Sequence, residues 1–310
     1  MENSKALPRP TGGWRVNESL LSELVFFVVV FLWGISFVFS KDALQVVGPF
    51  TYNTLRMLLG ATTLAILAGP RWRTLNRTYW LPGLITGAVL CASYGVQAYG
   101  MQFTTASKAG FLTGTNLVYV PIFSALLLHR APTRAAVFGV ILAFGGLVLL
   151  SVEGSLGELA LAPGDFWVAL GGVGWALYFI LLSYYAPRFD VMLFSTLHVL
   201  VAGLLSSIGW YFWEPFGVPW SSGALWLGLI STGLLIIGLG TSVQTWVSRH
   251  AAPTRIALFA ALEPVFAALA GWWVGETITA RMIIGGSLIL AGMLITEVAH
   301  LWGNKNRSRE

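Results

Sequence analysis

Charge is what this chain has least of. Only 10% of its 310 residues are Asp, Glu, Lys or Arg, against about 25% in an ordinary soluble domain. Thirty-one charged side chains, 18 basic and 13 acidic, cannot solvate a water-soluble protein of this length. With 56% hydrophobic residues and a mean hydropathy of +0.75, the solvent must be lipid. Cysteine is nearly absent as well: Cys91, inside an apolar run, excludes an intramolecular disulfide framework and any cysteine-based metal cluster. Catalytic signatures are missing too. There is no H-E-x-x-H metal pair, no G-x-S-x-G elbow, no phosphate-binding P-loop and no intramembrane aspartate pair. No cofactor and no nucleic-acid partner are expected, and without an ATP site active movement of a solute would draw on an ion or solute gradient.

What is present in quantity is apolar sequence in runs of membrane-crossing length. A helix rising 1.5 Å per residue needs roughly 20 apolar residues to cross about 30 Å of hydrocarbon. Ten runs of that kind lie near 22–40, 50–69, 80–101, 105–128, 134–152, 164–185, 191–213, 221–247, 252–275 and 280–302. They predict an all-α integral membrane protein of ten transmembrane helices, with connections mostly too short for a folded extramembrane domain. Lysine and arginine orient it. With the amino terminus cytoplasmic, fourteen of the eighteen basic residues fall inside, among them Arg71, Arg73, Arg77, Arg130, Arg134, Arg188, Arg249 and Arg255. Lys41, Lys108 and Arg281 fall outside, Arg56 lies within a helix, and the longest external loop carries Glu153, Glu158 and Asp165. Both termini are then cytoplasmic. The polar tail before Ser22 lacks a small-residue cleavage site, so the first helix reads as retained, and the N-x-S/T triplets at Asn17, Asn76 and Asn306 fall on the cytoplasmic side.

The halves repeat each other. Trp33 and Phe37 recur as Trp175 and Phe179, and Thr54-Leu55-Arg56 as Thr196-Leu197-His198, at a shift of 142 (175 − 33). Later the shift is 147 (244 − 97): Val96-Gln97-x-Tyr99 matches Val243-Gln244-x-Trp246, Lys108 matches Arg255, and Arg134, Gly139 and Gly145 match Arg281, Gly286 and Gly292. Pro121 and Pro264 fall about one turn out of register. Five helices per copy is an odd number, so the second copy enters from the opposite face, an inverted-topology repeat of the kind alternating-access transporters use. The expected organisation is a cytoplasmic tail over 1–21, a first repeat over 22–152, a second over 163–302 and a cytoplasmic tail over 303–310.

Several stretches carry a family resemblance: Trp33-Gly34-x-Ser36-Phe37, Arg56, Ala106-Ser107-Lys108-Ala109-Gly110-Phe111-Leu112, and Ala261-Leu262-Glu263-Pro264-Val265-Phe266 followed by Gly275-Glu276. Over residues 22 to 300 the chain resembles the EamA branch of the drug/metabolite transporter superfamily. The resemblance implies a ten-helix bundle that moves small metabolites across a bacterial inner membrane, often exporting amino acids or related compounds. One departure is visible: His129-Arg130-Ala131-Pro132 stands where the family often has a second Gly-Glu.

A charge inside hydrocarbon costs at least about 2.5 to 3.5 kcal/mol, so each one kept there needs a partner, a wet cavity or a function. Arg56 reads either as an anion-attracting group in an outer vestibule or as a structural arginine held by carbonyls or an acid. Lys108 and Arg255 open their helices, where snorkelling is cheap. Glu263 precedes Pro264, whose ring frees a carbonyl one turn back; it reads as a solute- or proton-binding carboxyl, or as a fixed hinge or ion pair. His198 is the match of Arg56 in the second copy. Uncharged candidates are Trp33, Ser36, Tyr94, Gln97, Trp175, Tyr178 and Gln244, polar or aromatic groups aimed from apolar helices. The matched Gln97 and Gln244 are costly without a partner, which favours cavity lining over glue between helices. The excess of cationic groups at the outer level suggests carboxylate-bearing solutes. A flippase-like lipid transporter or a membrane-embedded enzyme is the competing reading. Membrane lipids are the expected surroundings, and the spacings Gly83 to Gly87, Gly110 to Gly114 and Gly271 to Gly275 are read as packing within a monomer.

Overall fold

A computed structural model describes residues 16–104, 106–129, 131–151, 163–273 and 280–307. Among them there is no strand. The helices are α1 (Val16–Ala43), α2 (Pro49–Ala68), α3 (Trp80–Met101), α4 (Ala106–Gly114), α5 (Asn116–Leu128), α6 (Arg134–Ser151), α7 (Pro163–Tyr185), α8 (Val191–Trp213), α9 (Gly223–Gly228), α10 (Thr241–Ser248), α11 (Pro253–Ala260), α12 (Glu263–Trp273) and α13 (Ala280–Arg307). Six stretches are long and apolar enough to cross a membrane: Leu24–Ala43, Arg77–Met101, Pro163–Arg188, Val191–Trp213, Gly223–Ser248 and Pro253–Ala270. The chain is a multi-pass membrane protein. Shorter apolar helical stretches lie at Leu112–Leu128, Arg134–Leu149 and Ile283–Thr296.

Helix ends depart from the apolar runs where polar residues extend a helix beyond them. The first helix starts at Val16 and the last continues to Arg307. The expected run at 105–128 is two helices meeting at Thr115, and that at 252–275 breaks at Ala261–Leu262. Between α9 and α10, Leu229–Gly240 winds as a π-helix. Such wide turns accommodate extra residues in an otherwise continuous rod.

Backbone proximity decides how the rods pack. The pairs α6 with α13, α2 with α8 and α3 with α7 run along one another. A methyl group on Gly139 would lie 2.6 Å from the Gly292 carbonyl oxygen, and one on Gly146 would collide with Gly285. The partner number falls as the residue number rises, so α6 and α13 are antiparallel, their backbones touching because neither helix has a side chain there. Gly87 lies against the His198 carbonyl and Val201, while Gly233 lies against the Arg56 carbonyl and Leu59. Those two contact sets differ by 142 on one helix (198 − 56, 201 − 59) and by 146 on the other (233 − 87). For α6 and α13 the contacts also map onto each other at 146 (285 − 139, 292 − 146), one residue less than the alignment of Gly139 with Gly286. Gly83 and Gly87 thus pack on α8 within one chain; Gly275 of the third spacing lies outside the described residues.

The two ends of the bundle differ in charge. At one, Arg71 pairs with Asp190 (3.8 Å), which also caps α8 by accepting from Met192 and Leu193 and donates its own N–H to the Tyr79 hydroxyl. Arg188 stacks on Tyr184 close by. At the other, the Glu214 carboxylate caps α2, accepting from the Phe50 and Thr51 amides (2.8 and 2.7 Å) and the Thr51 hydroxyl. Lys41 donates to the Met101 and Thr104 carbonyls there, and Thr104 donates to Asp165. Asp165, expected in a loop, is buried in the first turn of α7. Glu153 and Glu158 lie outside the described residues.

Candidate functional site

Inside the bundle is a cavity lined from α1, α2, α3, α4, α5, α7, the π-helix and α12. Its lining includes Trp33, Phe37, Trp175, Phe179, Asn116, Glu263, Tyr52, Arg56, Tyr94, Gln97 and Thr232, and at Leu44 and Met101 it reaches toward the end where Lys41 and Glu214 sit. Seven expected site residues therefore share one space: Trp33, Ser36, Arg56, Tyr94, Gln97, Trp175 and Glu263.

Arg56 is 5% exposed and has no carboxylate partner among the described residues. Its Nε and Nη2 both donate to the Asn53 side-chain oxygen (2.9 and 2.5 Å), and Asn53 in turn donates to the Tyr94 carbonyl (3.2 Å). Two rings complete the clamp, with the guanidinium carbon 4.7 Å from the Tyr52 centroid and 4.2 Å from that of Tyr94. Aromatic faces stabilise a desolvated cation by about 2 kcal/mol each without cancelling its charge. The structure thus holds the arginine rigidly, leaves its charge uncompensated and turns it toward the cavity. Glu263 opens α12, its carbonyl packed where Gly34 leaves room, and its carboxylate makes no hydrogen bond or ion pair among the described residues. Arg56 and Glu263 both lie within electrostatic reach of Tyr94. One cavity therefore presents a cation and a carboxylate that are not bonded to each other.

The remaining lining is apolar with unused polar atoms. Trp33 and Trp175 each bury an indole N–H with no acceptor, and Asn116 buries an amide oxygen with no donor. Buried polar groups are nearly always hydrogen-bonded, so three such atoms around one cavity mark places for a ligand's groups. Gln97 donates to Thr113 (2.7 Å), and Ser36 donates back to the Trp33 carbonyl. Tyr94 meets Trp175 edge to face at 4.6 Å.

Of the other three expected site residues, two stand elsewhere. Tyr178 is buried beside the cavity, its hydroxyl 3.0 Å from His198 Nε2. Gln244 is buried on α10 with its amide nitrogen unpartnered. Lys108 belongs to α4, but its side chain lies outside what is described. Arg255 lines a separate small crevice with Phe26, Val247 and Phe259. Asn53, Tyr52, Asn116 and Thr232 had not been singled out, although two signals pointed to them: Asn53 sits one turn before Arg56, and Asn116 stands 147 residues before Glu263. Among the described residues no group of three or more His, Cys, Asp or Glu side chains is placed to hold a metal ion.

A multi-pass helical bundle enclosing a polar-studded cavity is the architecture of a membrane transporter. The EamA-like transporter family model matches residues 20–152 and again 162–298, and the chain belongs to that family. It is 22% identical over 276 residues to an uncharacterized transporter, YoaV, of Bacillus subtilis, covering 86% of this chain and 93% of the relative. An uncharacterized transporter of Archaeoglobus fulgidus is 26% identical over 294 residues, covering 93% and 89%. A solved crystal structure superposes with a TM-score of 0.76 at 19% identity, over 90% of this chain and 97% of that one, which shows a shared fold. The family and these relatives point to a transporter rather than an enzyme.

Proposed function

We propose that the protein is a secondary transporter that moves small amphoteric, carboxylate-bearing solutes of the amino-acid type by alternating access. In this reading the ten crossings are α1, α2, α3, α4 with α5, α6, α7, α8, the run from α9 through α10, α11 with α12, and α13. They form two inverted five-helix repeats, over 22–152 and 163–302, in a bacterial inner membrane with both termini cytoplasmic. Support for the duplication comes from the two-part family match and from the contact sets of Gly87 and Gly233, which map onto each other at the repeat shifts.

The observation that carries the proposal is the pairing of residues around the cavity. Six of its lining residues are three pairs at repeat spacing: Trp33 with Trp175, Phe37 with Phe179 and Asn116 with Glu263. A solute held there sits where the two copies meet, the place from which rocking exposes it to either side. Chemically, a carboxylate would meet the free face of Arg56 and the indole N–H groups, and an ammonium would meet Glu263 and the Asn116 oxygen. Rings of Trp33, Phe37, Tyr94 and Trp175 supply apolar walls. Export is the direction that the family resemblance implies.

Uptake of radiolabelled amino acids and organic acids into vesicles containing purified protein tests this. Arg56→Ala and Glu263→Gln are each expected to lower the rate at least tenfold with folding retained. If both folded variants transport at the unmodified rate, the site is wrong. Movement of fluorescent phospholipid with no solute accumulation would support the flippase reading instead.

A further inference from the structure

The cavity extends toward only one end of the molecule. Its lining includes Arg56, Gln97, Met101 and Thr232. Their images in the other copy are His198 (56 + 142), Gln244 (97 + 147), Ser248 (101 + 147) and Thr86 (232 − 146). None of these four lines the cavity, and all are buried, at 0%, 2%, 2% and 0% exposure. Each also holds a polar atom without a hydrogen bond: Gln244 Nε2, Ser248 Oγ, Thr86 Oγ1 and His198 Nδ1, the last with only the Phe194 carbonyl one turn back near it. Eight side-chain atoms among the described residues are buried and unpartnered. Three line the cavity, at Trp33, Trp175 and Asn116, and these four are images of its wall; only Thr54 stands apart.

Orphaned buried polar atoms cost roughly 1 to 3 kcal/mol each, and a bundle otherwise saturated with hydrogen bonds does not leave them at the images of a cavity wall without cause. We infer that Thr86, His198, Gln244 and Ser248 are a second half-site for the same amphoteric solute, closed in this conformation and opened when the bundle switches. The inference rests on the alternating-access reading and goes further by naming the residues that receive the solute at the other end. Ser248 ends α10 next to exposed Arg249, at the basic end where Arg71 pairs with Asp190. The two half-sites differ in chemistry. Where the open one offers a guanidinium clamped by Asn53 and two tyrosines, the closed one offers an imidazole bonded to Tyr178, a weaker anion ligand. A carboxylate passing from Arg56 to His198 is therefore held less tightly at the basic end.

Cysteine labelling tests this without knowledge of the solute. In a Cys91→Ala background, single cysteines replace Ser36 (cavity), Gln244 and Ser248 (closed half-site) and Ala143, buried between α6 and α13 as a control. Reaction with N-ethylmaleimide in vesicles is followed by mass, with and without Asp190→Ala, which removes the ion pair and helix cap at the basic end. Arg71→Ala serves the same purpose where Asp190→Ala fails to fold. The expected result is that Gln244→Cys and Ser248→Cys react at least tenfold faster than Ala143→Cys. Breaking the basic-end tie should speed them further while slowing Ser36→Cys. Rates no faster than Ala143→Cys in either background overturn the half-site, as does a tie-breaking variant that speeds all four positions together. If the half-site fails while Arg56-dependent uptake is observed, the transporter reading survives; reciprocal labelling in a protein that moves no tested solute leaves the half-site standing and removes the solute assignment.

Discussion

Replacing Asn53 by leucine isolates what holds the buried cation. The side chain accepts from two nitrogens of Arg56 and donates to the Tyr94 carbonyl. Hydrogen bonds to a charged group contribute about 1.5 to 3 kcal/mol each and a neutral one about 1, so Asn53→Leu should cost about 4 to 7 kcal/mol. Arg56→Met loses the same two bonds and leaves the Asn53 oxygen unpaired, at about 1 to 3 kcal/mol. Once the charge is gone, however, the asparagine is no longer needed to satisfy it. The double variant should therefore be more stable than the two single losses predict, with a coupling of about 3 kcal/mol. Equilibrium unfolding in mixed micelles with a denaturing detergent measures all four corners of the cycle. Independent sites add to within about 0.5 kcal/mol; additivity at that level would mean that the amide does not hold the guanidinium and would refute the clamp.

Further outcomes follow from other contacts. Trp33→Phe and Trp175→Phe remove N–H groups that have no acceptor among the described residues, so their stability cost should be only that of the lost ring volume, about 1 to 2 kcal/mol; solute KM in the vesicle assay should rise by about two- to tenfold, the range of one neutral hydrogen bond. Gly87→Leu and Gly233→Leu should each lower the melting temperature sharply, because His198 and Arg56 backbone lie against them, whereas Gly95→Ala, with open space around it, should be neutral. Glu214→Ala removes three bonds from the α2 cap and should cost about 1 to 2 kcal/mol in the same unfolding assay. Arg71→Ala breaks a pair whose arginine is 53% exposed, so its stability effect should stay below about 1 kcal/mol.

Much of this was legible in the order of residues. Length and hydropathy suffice for membrane helices, and the cost of charge in lipid singles out Arg56 and Glu263 before any coordinate is known. The shift between halves brought Trp33 together with Trp175, and both line the cavity. Sequence spacing fails where three dimensions decide. Tyr178 and Gln244 have the same helical faces as Ser36 and Gln97, yet they are packed shut because the cavity opens toward one end only. Asn53 is an ordinary polar residue until Arg56 folds back on it. The breaks at Thr115 and at Ala261–Leu262 and the π-helix at Leu229–Gly240 were likewise hidden, since apolar runs read alike whatever their local winding.

The glycine seam between α6 and α13 bears on how the two halves can diverge. At Gly139 with Gly292 and at Gly146 with Gly285, each backbone is the wall against which the other rests. On the two-copy reading, a side chain gained on either helix is an injury to both, and no single compensating change on the opposite helix can make room, because nothing smaller than glycine exists. Ancestry should therefore stay readable longest along this seam. Asn116 against Glu263, and Arg56 against His198, are the opposite case: positions where the copies were free to become different instruments.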